Sequence, residues 1–240
     1  MSARIVCHMI SSVDGRLVSQ RWSSPTRAIN ISEVYESVAS SFQAQGWMIG
    51  RTTMAEYDCG VTESAPAPTD NQNNKTCFKG HQADRLIAVV FDPKGKLHYS
   101  SDHLQTGEHI VSVLSENVSD EYLSELRQIG VSYVFEGESK QNRFQKALKS
   151  IEELFSVKTL LLEGGGIING AFLEAGLIDE LSVLIYPGLD GAHSSPSIIG
   201  YQGDNPLPAQ KSHLELIDAK TMAFGIVHLH YRLTNDHQKQ

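Results

Sequence analysis

Glu163 and the three glycines behind it, Gly164-Gly165-Gly166, are the residues whose types and spacing point most directly to chemistry. They close the apolar run Thr159-Leu160-Leu161-Leu162 and lead into Ile167-Ile168-Asn169-Gly170-Ala171-Phe172, a pattern that reads as a buried strand turning tightly into a helix. Glycines let a ligand approach the backbone, and the N–H groups and positive dipole end of the next helix favour an anion such as a phosphate. Glu163 would then stand at the carboxyl end of a strand, where open α/β sheets hold their ligands. Three glycines in this place also suffice for a tight strand-to-helix turn and nothing more. A second corner, Gly50-Arg51-Thr52-Thr53, combines hydroxyl donors, free N–H groups and a guanidinium at a helix start, and reads as another anion site. There the simpler alternative is a threonine N-cap. A third, Ser11-Ser12-Val13-Asp14-Gly15, ends the first apolar run; Asp14-Gly15 is a hairpin signal, or else Ser12 and Asp14 face a substrate. Asp14, Tyr57 and Asp58 are the candidates for a general acid.

Composition narrows the partner. The chain has 240 residues, 40% hydrophobic and 20% charged, which suits a single globular α/β domain spanning 1–240. A net charge of −8 with no run of Lys or Arg argues against a nucleic-acid binder and for a small-molecule substrate. No apolar stretch reaches the roughly 20 residues of a membrane helix. Neither a basic segment nor a cleavage pattern precedes the first strand, so the expectation is a cytoplasmic protein without membrane contact. Cys7, Cys59 and Cys77 form no C-x-x-C pair, and the ten histidines lack a third ligand at metal spacing; no metal is expected. His228 and His230 alternate with apolar residues and should share one partly exposed sheet face.

The elements that must position these residues follow in order. Strands are expected at 4–10, 46–50, 86–91, 110–114, 131–135, 159–162 and 180–186. Helices are expected from near Ser32 to Gln45, from Arg51, over Asp120–Gln128 ended by Gly130, and over Asn142–Leu154 with Phe144, Ala147, Leu148, Ile151 and Leu154 inward. Asp58 to Asp84, with Pro66, Pro68 and several asparagines, reads as a long loop insertion placed as a lid over the ligand. Ser212–Ala219 and Gly225–Leu233 have no helix between them and should pair antiparallel at one edge. The whole predicts an α/β fold in three layers, a mostly parallel central sheet with an antiparallel C-terminal hairpin. G-x-G-x-x-G is missing after the first strand, which argues against an ordinary Rossmann dehydrogenase.

The ordered set Ser11-Ser12-Val13-Asp14-Gly15, Gly50-Arg51-Thr52-Thr53 and Leu162-Glu163-Gly164-Gly165-Gly166, with Leu173-Glu174-Ala175-Gly176-Leu177-Ile178-Asp179-Glu180-Leu181, resembles one family over nearly the whole chain. It is similar to the C-terminal reductase domain of the bifunctional riboflavin-biosynthesis deaminase/reductase, which has the dihydrofolate reductase fold. The resemblance implies an NADPH-dependent reductase, commonly a homodimer, that converts the ribosyl group of a pyrimidine ribosylamino phosphate to ribityl. It implies that Gly165 to Ala171 hold the cofactor's pyrophosphate side and that Thr53 contacts the cofactor. Arg51 matches the dihydrofolate reductase version of its turn, where a basic residue grips the adenosine 2′-phosphate. Trp22 resembles an aromatic residue near the cofactor, Glu163 the carboxylate that hydrogen-bonds the substrate, and Asp14 the turn beside it.

The departures lie on the substrate side. Tyr57 stands where the family has an Asp, with Asp58 next to it, and Phe42 falls where an arginine would serve the substrate's phosphate. The Asp-Pro-x-Leu-Thr-x-Arg sequence is absent from 58–64. Without a bidentate arginine a phosphate is held less well. A reductase of a pterin-like or other heterocycle, and a non-catalytic nucleotide-binding dimer, are therefore the alternatives. No H-x-E with P-C-x-x-C occurs, so zinc-dependent deamination is not expected of this chain.

Overall fold

A computed structural model describes residues 2–25, 28–57, 61–64, 75–139 and 142–235. Asp58 and Cys59, and with them much of the expected 58–84 lid, lie outside the described residues, as does the side chain of Tyr57. The chain forms two compact units, one of residues 1–3 and 45–160, the other of 4–44 and 161–240.

Strand β1 (Arg4–Ser12) is almost wholly buried, as its unbroken Ile-Val-Cys-His-Met-Ile run demands of a strand covered on both faces. Helix α1 (Ile31–Ser41) starts one residue earlier than expected. Asn30, not Ser32, caps it, accepting the Glu33 N–H at 3.3 Å. The helix also stops at Ser41, short of Gln45, with Phe42 as its C-cap. Both β1 and α1 belong to the second unit.

The first unit runs from β2 (Gly46–Gly50) and the seven-residue α2 (Arg51–Tyr57) through β3 (Val61–Glu63), β4 (Ile87–Phe91), β5 (Leu97–Tyr99) and β6 (His109–Leu114). Helix α3 (Asp120–Ile129), β7 (Ser132–Phe135) and α4 (Arg143–Phe155) complete it. Strands β2, β4, β6 and β7 pair in parallel in that order. β3 and β5 form a small antiparallel pair that the sequence did not announce, three residues being too short for a periodicity signal. Helix α3 carries both end signals in its sequence. Ser119 Oγ accepts the Tyr122 N–H at 3.1 Å, and Gly130 leaves at φ 91°, the left-handed conformation in which glycine is least penalised. In α4 the inward set is Phe144, Ala147, Leu148, Ile151 and Phe155. Phe155 replaces the expected Leu154 because the eleventh step from Phe144 returns to the same face at 3.6 residues per turn, whereas the tenth does not.

β8 (Thr159–Leu162) carries the chain from the first unit into the second, where α5 (Gly166–Glu174), β9 (Glu180–Tyr186), β10 (Ser212–Thr221) and β11 (Val227–Asn235) follow. β9 pairs parallel with β1, and β11 pairs antiparallel with both β9 and β10. The expected α/β architecture, mostly parallel with an antiparallel C-terminal hairpin, is borne out. His228 and His230 share one face, their rings stacked 6.1 Å apart.

Two histidines, one in each unit, are fully buried. His8 places Nδ1 2.9 Å from Ser182 Oγ and Nε2 3.3 Å from the Tyr35 carbonyl; His109 places Nε2 2.7 Å from Ser132 Oγ. Burial pushes each imidazole down from 6.5 to about 4. Between those values the unfolded chain binds protons that the folded chain refuses, so stability is complete above pH 6.5 and declines as pH falls toward 4. Urea unfolding at pH 7, 6 and 5 should show stability falling on the order of 1 kcal/mol per pH unit per histidine. His8→Gln should reduce that slope; an unchanged slope would contradict the assignment.

Candidate functional site

The corner around Glu163 is built by close backbone approach. Gly164 turns at φ 99°, the Gly164–Gly165 peptide bond is cis, and Gly165 is the extended N-cap of α5. Its N-cap residue has no side chain with which to cap the helix. The glycines do separate work. A Cβ on Gly166 would stand 2.2 Å from the Ser197 carbonyl oxygen, and one on Gly170 2.5 Å from the Tyr201 nitrogen. The segment 195–201 therefore crosses α5 in backbone contact, and the Gly200 N–H donates to the Gly166 carbonyl at 2.9 Å. Asn169 ties the same segment from inside the helix. Its Nδ2 donates to the Ile198 carbonyl at 2.8 Å, while the buried Oδ1 has no hydrogen-bond partner among the described residues.

The Asp14 turn is stitched to the loop after β9. Asp14 accepts from Ser12 Oγ at 2.7 Å, from the Asp190 N–H at 3.0 Å and from the Gly191 N–H at 2.8 Å. Those donors hold its carboxyl well below the usual carboxylate range. A carboxylate so engaged fixes a loop and is a poor proton donor at neutral pH. Asp190 repeats the pattern, accepting from Ser195 Oγ at 2.8 Å and pairing with Arg21 at 3.1 Å. Arg16 donates to the Ser195 carbonyl at 2.8 Å.

Glu163 lives in different surroundings. Its carboxyl stands beside the Tyr35 phenol, whose one O–H donates to the His8 carbonyl at 2.8 Å. Burial first, then the Glu163 charge, pushes that phenol well above its ordinary value. The same two causes push the buried Cys7 thiol up to about 12, so Cys7 stays an inert thiol. Val13, Ile167 and Leu189 leave large apolar side chains more than half exposed. Trp22 is buried against Tyr186, ring centroids 5.0 Å apart, and its indole N–H has no hydrogen-bond partner among the described residues.

In the first unit Arg51 opens α2 as expected. Its guanidinium pairs with the Glu63 carboxylate on β3, so the anionic partner its sequence context asked for exists within the chain. Gly50 ends β2 beside Phe91 of β4, and Thr52 and Thr53 occupy the first turn of α2. Asp92, at the end of β4, is buried and accepts the Lys96 and Leu97 N–H groups through Oδ2 at 2.6 and 2.8 Å, with burial raising its pKa.

A model of the RibD C-terminal domain family matches residues 3–227. The chain belongs to that family. The 2,5-diamino-6-ribosylamino-4(3H)-pyrimidinone 5′-phosphate reductase of Aquifex aeolicus is 23% identical over 197 residues, 80% of either chain. Acinetobacter baumannii RibD superposes with a TM-score of 0.63 at 19% identity over 97% of this chain, which spans 58% of that one. A pyrimidine reductase-like protein from Corynebacterium diphtheriae gives 0.66 at 17% identity, with 98% and 92% covered. Among the described residues no helix is long and apolar enough to cross a membrane, and no group of three or more His, Cys, Asp or Glu is set to hold a metal ion.

The contacts of Tyr35, Arg16, Asp190 and Ser195 have no signal in the sequence: nothing in the spacing of Tyr35 marks a polar partner, and Asp190 and Ser195 lie in a loop without periodicity. The crossing at Gly166 gives a direct test. Gly166→Ala must displace backbone rather than a flexible side chain, so it should destabilise the second unit by about 1–3 kcal/mol in denaturant unfolding. Wild-type stability would overturn the tight crossing.

Proposed function

We propose that this chain is an NADPH-dependent reductase acting on a ribosylaminopyrimidine phosphate or a close relative, and that it works as a homodimer. The observation that supports the reading most is Glu163, a carboxyl beside Tyr35 and set directly before the glycine corner of α5. Membership of the RibD C-terminal family and the Aquifex reductase relative agree with it.

In this reading Gly164, Gly165, Gly166, Ile167, Ile168, Asn169 and Gly170 hold the pyrophosphate side of the cofactor, for which the N–H groups of a helix start are suited. Bound NADPH supplies a hydride to an electrophilic carbon of the substrate. Gly50, Thr52 and Thr53 contact the cofactor, and Arg51 serves its 2′-phosphate by exchanging the Glu63 carboxylate for it. Trp22 offers its buried indole N–H on the cofactor side. Ser12 and Asp14 border the substrate, Asp14 by holding its loop, and Glu163 orients the substrate by hydrogen bonding. Val13, Ile167 and Leu189 supply the apolar surface that a planar ring covers, excluding water.

The decisive experiment titrates NADPH by fluorescence and then follows its oxidation with the ribosylaminopyrimidine phosphate and, separately, dihydrofolate. Turnover with the first alone is expected; Glu163→Gln should cut kcat by about 10²-fold or more while NADPH still binds. Oxidation of neither substrate despite binding would favour a non-catalytic nucleotide-binding dimer.

The dimer reading draws on β10. It is an edge strand that exposes Leu214, Leu216 and Ile217, at 56%, 54% and 44%. A row of bare apolar residues on a free strand edge calls for a partner surface. Light scattering on the eluting protein should give the mass of two chains, and Leu216→Asp should give one. A wild-type monomer would remove this part of the proposal.

A further inference from the structure

Outside the glycine corner, the first unit carries a second arrangement with the geometry of chemistry. Ser64 Oγ lies 2.7 Å from His98 Nε2, and His98 Nδ1 lies 2.6 Å from a carboxylate oxygen of Glu125. Three elements set this up. Thr62 of β3 pairs with His98 of β5, and the Ser64 N–H donates to the Lys96 carbonyl at 2.9 Å, continuing the antiparallel ladder by two residues. Residues two apart share a sheet face, so Ser64 and His98 become diagonal neighbours on it. Glu125 reaches the ring from α3. Tyr122, one turn earlier on that helix, sets its ring edge-on to His98 at 5.6 Å and donates its hydroxyl to the Leu97 carbonyl at 2.7 Å.

The partners fix the protons. An ionised carboxylate only accepts, so Nδ1 carries the hydrogen toward Glu125. In the neutral ring Nε2 is then a bare lone pair, and the hydrogen between it and Ser64 belongs to the serine. That is a nucleophile, a base and an orienting carboxylate in the connectivity that activates a serine hydroxyl. A second serine–histidine–aspartate series in the same unit shows what a purely structural version looks like. Ser132, His109 and Asp102 are linked at 2.7 and 3.5 Å, but Ser132 and His109 are fully buried and the serine oxygen is already taken by the Gly80 N–H at 2.9 Å. Ser64 is exposed, and His98 and Glu125 keep about a third of their side-chain surface open to solvent.

We infer that Ser64, His98 and Glu125 form a serine-nucleophile site that accepts acyl groups from small activated esters, separate from the reductase chemistry. Ser64 Oγ attacks the ester carbonyl carbon while its proton passes to His98 Nε2. The carbon–oxygen bond to the alcohol breaks, and the alcohol leaves with that proton. Water then attacks the acyl carbon and gives a proton to His98 Nε2; the bond between that carbon and Ser64 Oγ breaks, Oγ takes the proton back from His98, and the carboxylic acid leaves. Positioned general-base catalysis contributes roughly 10²–10⁴-fold, which sets the scale of the effect.

The test treats the full chain with a fluorophosphonate probe, maps the adduct by peptide mass, and follows p-nitrophenyl acetate hydrolysis in parallel. The expected result is one adduct on Ser64, abolished by Ser64→Ala and formed about 100-fold more slowly in His98→Gln. Glu125→Gln, on the surface of α3, reads the same dependence if His98→Gln fails to fold. The inference is overturned if Ser64 stays unlabelled, or if it reacts equally fast in the His98 and Glu125 variants, in which case the triplet only fastens β3 and β5 to α3.

Discussion

The second unit depends on one close approach of backbone to backbone. Where 195–201 crosses α5, the Ser197 carbonyl and the Tyr201 nitrogen occupy the space that side chains would need at positions 166 and 170. Glycine there is a requirement of packing before it is a feature of ligand binding. The crossing brings the loop after β9 over the start of α5, where Asn169 and Gly166 hydrogen-bond to it. The loop's other end is clamped by the Asp14 carboxylate, which gathers the Asp190 and Gly191 N–H groups. A short chain segment fixed at both ends can present Leu189 outward without a core of its own.

The three carboxylates of this region are sorted by their surroundings. Asp14 sits among N–H and O–H donors that favour its ionised form, while Asp190 accepts from Ser195 and pairs with Arg21, so that both hold a loop. Glu163 instead stands beside the Tyr35 phenol and the buried Cys7 thiol, and its charge helps to raise both.

The first unit treats its basic residue differently. Arg51 opens a helix of only seven residues and already holds Glu63, so any anion it serves competes with a carboxylate of the same chain. Asp92, buried close by at the end of β4, is steadied by two backbone N–H groups.

Much of the fold was legible because its signals are local. Largely apolar runs marked β2 and β9 to the residue, Ser119 and Gly130 bracketed α3, and the glycine triplet located the start of α5. In α4 the helix phase puts Phe155 rather than Leu154 on the buried face. Glu163, Asp14 and Arg51 also stand out in the sequence, as charged residues at the ends of apolar strands. Their partners were not. That Asp14 binds the amides of 190 and 191, that Tyr35 meets Glu163, that Glu63 neutralises Arg51 and that Ser64, His98 and Glu125 line up are facts about residues far apart in the chain. Side-chain type and spacing determine what each residue can do and which element carries it; what it does is decided by the groups that folding brings within hydrogen-bond reach, and no local pattern records those.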